Sequence, residues 1–442
     1  MDSFSRTEEV SWFSRIIESI KGVLIGLLLF LISFPLLFWN EGRAVERARN
    51  LAAGREAVVE ASATAVDASQ EGKLVHLTGP AAAVGEVADG ELGPSAAGAL
   101  RLRRVVEMFQ WSERRETSTS SNTGGSQTRR TTYTYRTEWS SSPVDSSRFE
   151  RPAGHFNPPM SFRSQSFDAP SVTVGARALT PELIQQVDNF SPLAVDLSSA
   201  VGLSRFGLPI HPHEQGFFLG TSPGAPSVGD YRVRWESAAA GPVSVLAAQH
   251  GNTFASWRSE SGNTLEPNLE VGARTAAEMF STLETNNALL TWVLRFVGWL
   301  FMFLGILSIV RPLVVVADVL PFAGSIVGAG ASLVAFLVAS PLSLLTVAIG
   351  WIFYRPVLGI GLTVVAVGIA VVAGKKIAEK GRAANAQRQA QRQGQPAAPQ
   401  AAGFAAQLSG QVGPAQPMAG GWGAPPSPPQ GPGGWGPPPG SQ

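Results

Sequence analysis

The sequence predicts an α+β membrane protein with four transmembrane helices, one N-terminal and three C-terminal. A large strand-rich extracytoplasmic domain lies between the first and the second. Three observations carry this expectation. From about Leu289 to Ala373 the chain is apolar, and Arg295, Arg311, Asp318 and Arg355 are its only charges. A hydrocarbon core roughly 30 Å thick is crossed by about 20 apolar helical residues, so this block holds three crossings, about 292–309, 325–348 and 352–373. A further apolar run, Gly22 to Trp39, stands near the N-terminus. Between the two, apolar and polar residues alternate with period two over 100–113 and 130–140, the mark of half-buried strands.

Residues 1–21 read as a cytoplasmic lead-in. Val10, Phe13, Ile17 and Ile20 share one helical face, which suits a helix on the membrane surface or a plain entry to the first crossing. The run 22–39 is too long for the apolar core of a signal peptide, and Asn40-Glu41-Gly42-Arg43 is no small-residue cleavage site, so the helix is expected to stay as an anchor. Residues 40–290 form the domain. A helical continuation over 41–53 leads into short strands at 57–61 and 74–78. The long pair 100–113 and 130–140 follows, joined by the Ser/Thr/Gly-rich connector 117–128, expected to be a mobile loop. Thr180-Pro181-Glu182 opens a short helix, 229–236 and 243–249 resume strand character, and Gly251-Asn252 turns the chain back. Thr275-Ala276-Ala277-Glu278 fits a capping box that starts the second membrane helix. Arg311-Pro312, Asp318 and Pro321 mark the first connection in the apolar block, and Gly350 marks a tight second one.

Beyond residue 373 the chain is rich in Gln, Ala, Pro and Gly and repeats Trp-Gly-x-Pro-Pro at Trp422 and Trp435, a composition that buries no core and is expected to be a disordered cytoplasmic tail, 374–442. Lys375, Lys376, Lys380, Arg382, Arg388 and Arg392 face only Glu379 there, so the positive-inside rule puts both termini in the cytoplasm and the domain outside.

Composition excludes several kinds of chemistry. Net charge is +1, with no basic excess for nucleic acid, and there is no cysteine, which removes disulfides, thiolate nucleophiles and Cys-ligated zinc. His211-Pro212-His213-Glu214 is the best local metal candidate, but no further ligand accompanies it. There is no phosphate loop or nucleophile elbow, and Glu107, Glu138, Asp188 and Asp230 stand at no catalytic spacing. Glu107 and Glu138 are expected to pair with arginines across strands. No enzymatic activity, cofactor or metal is expected. Small residues recur at Gly22/Gly26, Ala331/Ala335/Ala339 and Ala366/Ala370, spacings that let helices approach closely within one chain or between copies.

A set of motifs, in order along the chain, resembles the transmembrane protein 43 family, also called LUMA. They are Asn40-Glu41-Gly42-Arg43-Ala44, Leu74-Val75-His76, Arg103 through Glu107 to Gln110-Trp111, Tyr133 through Glu138-Trp139, Val187-Asp188-Asn189-Phe190, Val228-Gly229-Asp230 and Gly350-Trp351 through Tyr354-Arg355-Pro356. The resemblance implies four membrane helices, a lumenal domain, and a non-enzymatic membrane organiser that self-associates and holds other membrane proteins. In a eukaryote it implies the endoplasmic reticulum and inner nuclear membrane. The preference for Arg over Lys and the abundance of Ala, Gly and Pro point instead to a GC-rich bacterial genome and a bacterial inner membrane. The expected partners are the lipid bilayer, further copies of the chain and other membrane proteins. The alternative class is a channel or transport-associated subunit, which would line a path with ionisable groups.

Overall fold

The computed structural model describes residues 2–320, 323–357 and 361. Its folded domain is a sandwich of two mostly antiparallel sheets. The first centres on β3 (Ala99–Ser121), flanked by β4 (Gln127–Ser140) and β5 (Tyr231–Ala239), with β1 (Asp2–Val10) outside β4 and the strands 216–219 and 210–213 beyond β5. The second pairs β2 (Leu74–Val84) with β6 (Gly241–His250). The inward residues of the two sheets form one core, with Val75 and Leu77 of β2 and Val245 of β6 against Leu102 and Val106 of β3 and Trp235 of β5.

Two long helices join this sandwich, α1 (Trp12–Ala57) and α2 (Ala276–Ala317), and a third, α3 (Ala323–Tyr354), follows α2 and packs on both. All three are long and apolar enough to cross a membrane. α2 opens with the expected capping box, Thr275 Oγ1 accepting from Glu278 N and the Glu278 carboxylate accepting from Thr275 N. α1 and α2 are rooted on the outer face of the second sheet, where Leu51 of α1 and Met279 and Phe280 of α2 cover Leu74 and Leu246. That is why β6 is buried on both faces from Val243 to Gln249, with no alternation. Within the bundle, α1 and α2 come close where a side chain is missing. A Cβ on Gly298 would stand 2.5 Å from Leu37, and one on Gly26 would stand 2.8 Å from the Gly305 carbonyl oxygen.

Several expectations are corrected. α2 runs through Arg311-Pro312 to Ala317, with the proline inside the helix. α3 runs through Gly350 to Tyr354, and Gly350 serves close packing, as a Cβ there would stand 3.0 Å from the Glu41 side chain. The helix expected from 352 therefore begins as the end of α3, and 358–360 and 362–373 of that crossing, with the tail 374–442, lie outside the described residues. The Ala331/Ala335/Ala339 stripe is buried inside the chain, so it is used within one protomer. The connector 117–128 is mostly strand, turning only over 122–126.

The largest departure concerns the N-terminus. Residues 2–10 form β1 and pair along β4 from Asp2↔Tyr135 to Val10↔Gln127; no element was expected over 2–9, and Val10, expected on the helical face, ends the strand. β1, β4 and the outer half of β3 make an arm that projects from the sandwich, because β5 pairs with β3 only as far as Met108. The arm's tip reaches the end of α1 farthest from the domain. There Gly125 packs on Trp12, its carbonyl accepts from Arg15, and Arg15 makes a buried ion pair with Asp318 just after α2.

Candidate functional site

Where the apolar helices enter the domain, three of them converge on one buried carboxylate. Glu41 follows directly on the apolar run of α1 and is 1% exposed. Its oxygens accept from Arg295 Nε and Nη2 of α2, both at 2.7 Å, and from Trp351 Nε1 of α3 at 2.8 Å. The Arg295 guanidinium lies 4.8 Å from the Trp292 ring and 5.7 Å from the Trp351 ring. A two-point Arg–carboxylate contact fixes orientation as well as distance, and aromatic faces suit a weakly hydrated guanidinium.

One turn further, Arg43 donates to Asn287 Oδ1 at 3.1 Å, Thr291 Oγ1 at 3.0 Å and Asn40 Oδ1 at 3.3 Å. Asn40 Nδ2 donates to the Thr291 carbonyl, and Asn287 Nδ2 to the Ala44 carbonyl. Gly42 is required by Tyr354, whose ring would lie 2.6 Å from a Cβ there. Arg49 donates to the Tyr354 carbonyl at 2.7 Å, and the helix ends before Arg355-Pro356. The Asn-Glu-Gly-Arg and Trp-Ile-Phe-Tyr-Arg-Pro motifs, more than 300 residues apart (Glu41 to Trp351), thus form one clasp. Of its polar atoms, Arg43 Nε is buried without a partner among the described residues. Three cavities adjoin the clasp, and one of about 380 Å³ lies by Gly42, Arg43, Arg49 and Tyr354; the other two share residues. One, of about 280 Å³, has a polar wall of Glu41, Asn287, Thr291, Arg295 and Arg355. The other, of about 700 Å³, is mostly apolar and lies between α2 and α3.

The remaining motif residues sit in the sandwich and the arm. Gln110 is fully buried and bridges Ser142 O and Val144 N. The Trp111 ring meets His155 edge-on at 4.7 Å. Trp139 packs on Phe109 and under Arg232. Glu107 faces Arg234 of β5 at 3.7 Å, as expected across strands, whereas Glu138 pairs with Arg136 of its own strand. Gly229 (φ +97°) and Asp230 close a turn in which the Asp230 carboxylate accepts from Ser227 N. Phe190 lies under Arg101 and Arg103, beside exposed Asp188 and Asn189. His211 and His213 both stand near the Phe218 ring, and no group of three metal-ligating side chains occurs among the described residues. None of these residues joins the clasp.

Sequence reasoning missed Asn287, Thr291 and the pairing of Arg295 with Glu41. The available signal was spacing, since 287, 291 and 295 are four apart and form one polar helical face at the apolar boundary. Also unforeseen was a buried network in the core, where Asp89 accepts two bonds from Arg104 Nη1 and one from Trp235 Nε1.

The fold and clasp define a membrane protein in which a β-sandwich is tied to a bundle of bilayer-length helices. Residues 108–356 match the family described as transmembrane protein 43, and the chain belongs to that family. It is 38% identical over 357 residues to transmembrane protein 43 of Rattus norvegicus, covering 78% of this chain and 87% of that one. Against the Homo sapiens protein it is 36% identical over 390 residues, covering 84% and 95%. The Drosophila melanogaster homolog is 29% identical over 364 residues, covering 76% and 89%. No solved structure matches.

Proposed function

We propose that this protein is a non-enzymatic membrane scaffold that self-associates and holds other membrane proteins through its extracytoplasmic domain and helices. The observation that carries the reading is the clasp. The Glu41 carboxylate is spent on Arg295 and Trp351, which locks the three helices to one another at the end of the bundle that Leu51, Met279 and Phe280 root on the second sheet. In this reading 352–373 supplies a fourth crossing, both termini are cytoplasmic, and the chain resides in a bacterial inner membrane; a eukaryotic member would reside in the endoplasmic reticulum and inner nuclear membrane. The alternative, a channel or transport-associated subunit, is disfavoured because the described bundle charges gather at its two ends, Glu41–Arg295 and Arg15–Asp318. The test is chemical crosslinking in native membranes combined with conductance recording on reconstituted full-length protein. Crosslinked oligomers without conductance are expected. A strictly monomeric protein would remove the scaffold reading, and ion conductance would install the alternative.

A further inference from the structure

Two of the cavities beside the clasp are parts of one amphipathic recess, since they share Trp292, Arg295 and Trp351. The lower part runs from Trp292 to Trp299 along α2, seven residues or about 10 Å at 1.5 Å per residue, with Leu37, Phe296, Leu344 and Val347 as further wall. Its hydroxyls are turned inward: Ser340 Oγ accepts from Trp299 Nε1, and Ser343 Oγ donates to the Ser340 carbonyl. The surface it offers is therefore hydrocarbon-like, and in an inserted bundle a groove between α2 and α3 opens sideways to lipid. The upper part is charged, and its charge is unbalanced. Glu41 is consumed by Arg295 and Glu284 pairs with Arg55 at 3.0 Å, whereas the Arg355 guanidinium has no partner among the described residues. A free cation above an apolar slot, rimmed by two tryptophans, has the chemistry that receives a phosphate with a hydrocarbon chain below it.

We propose that this recess binds one phospholipid, its phosphate at Arg355 and one acyl chain in the slot between α2 and α3. The lipid would then wedge the two helices directly under the clasp, so that the bilayer itself completes the joint. The proposal requires the helices to be inserted but does not depend on the scaffold role. Its occupant is drawn from the bilayer; the two competing occupants, the apolar segment 358–373 of the same chain and a second copy, are separated by the test.

The full-length protein is placed in lipid nanodiscs doped with a phospholipid carrying a photoreactive diazirine near the end of one acyl chain. Photolysis is expected to label peptides from 292–299 and 340–351 saturably, with unlabelled phospholipid competing. Ser343→Trp, which fills the slot, should lower that labelling at least tenfold. Arg355→Gln, an exposed change with no packing to disturb, should lower it severalfold for the phospholipid probe and leave labelling by the matching diacylglycerol unchanged. Even labelling of the lipid-facing helices, indifferent to both variants, would overturn the proposal. Because the chain has no cysteine, Ser343→Cys combined with Ala366→Cys reports the competitors. A rapid disulfide within monomers would give the slot to 358–373, and a disulfide between copies carrying Ser343→Cys alone would give it to a second protomer; either result overturns lipid occupancy.

Discussion

At the scale of single residues, the clasp is held by charge taken out of water. Breaking one partner of a buried ion pair leaves the other uncompensated and typically costs about 3–5 kcal/mol, whereas replacing both with apolar groups is often near neutral. Glu41→Ala should therefore lower the melting temperature of the solubilised protein clearly, and the double variant Glu41→Leu/Arg295→Met should recover most of the loss. Thermal unfolding followed by tryptophan fluorescence reads both, and an unchanged melting point for Glu41→Ala would remove the clasp from the joint. The residues of this site were half legible in the sequence. Glu41 and Arg295 were visible as charges at the edge of apolar runs, and the motifs around Glu41 and Trp351 were recognisable. Their partnership was not, because a contact across 254 positions leaves no local pattern.

At the scale of elements, legibility followed periodicity. Tyr133 and Tyr135 of β4 alternate with polar neighbours, and the structure buries both. β1 was illegible because only Phe4 and Val10 of its nine residues are large and apolar; its strand character comes from the edge of β4 that it covers. Helix ends were misplaced where Pro312 and Gly350 imply a break by local propensity and tertiary packing carries the helix on. The arm contains a pH-sensitive contact. Burial and the Glu113 carboxylate, to which the Tyr135 hydroxyl donates at 2.9 Å, push the Tyr135 phenol up to about 12. An unfolded phenol titrates near 10, so between about pH 10 and 12 the unfolded chain sheds a proton that the folded chain keeps. Stability from this contact is complete below about pH 10 and is lost as pH rises toward 12. Denaturant midpoints across that range should fall more steeply for the wild type than for Tyr135→Phe. Parallel slopes would show that the phenol does not titrate late.

At the scale of the whole molecule, two features compete for the same space. The bundle is as long as a bilayer is thick, and the arm runs from the sandwich to the bundle's far end, where Gly125 meets Trp12 and Arg15. Residues Arg114 to Ser121 on the arm's outer strand are all exposed and polar, and their outer edge is unpaired among the described strands. Hydrocarbon tolerates neither open strand edges nor unpaired charge, so the arm cannot lie beside the bundle within a membrane. A crossing by 22–39 that puts the N-terminus on one side and the sandwich on the other must therefore pull β1 off β4 and free the arm's tip from Arg15. Ser5 Oγ and Thr132 Oγ1 stand 3.0 Å apart in the docked arm, and the absence of cysteine makes the pair Ser5→Cys/Thr132→Cys a clean reporter of docking. The disulfide is expected to form readily in detergent and to be suppressed in sealed membranes. In intact cells an impermeant thiol reagent should then reach a lone Ser121→Cys and not a lone Ser5→Cys or Ser409→Cys. Equal crosslinking in membranes and detergent would mean that β1 and the sandwich share one side of the bilayer, and the proposed orientation would fail.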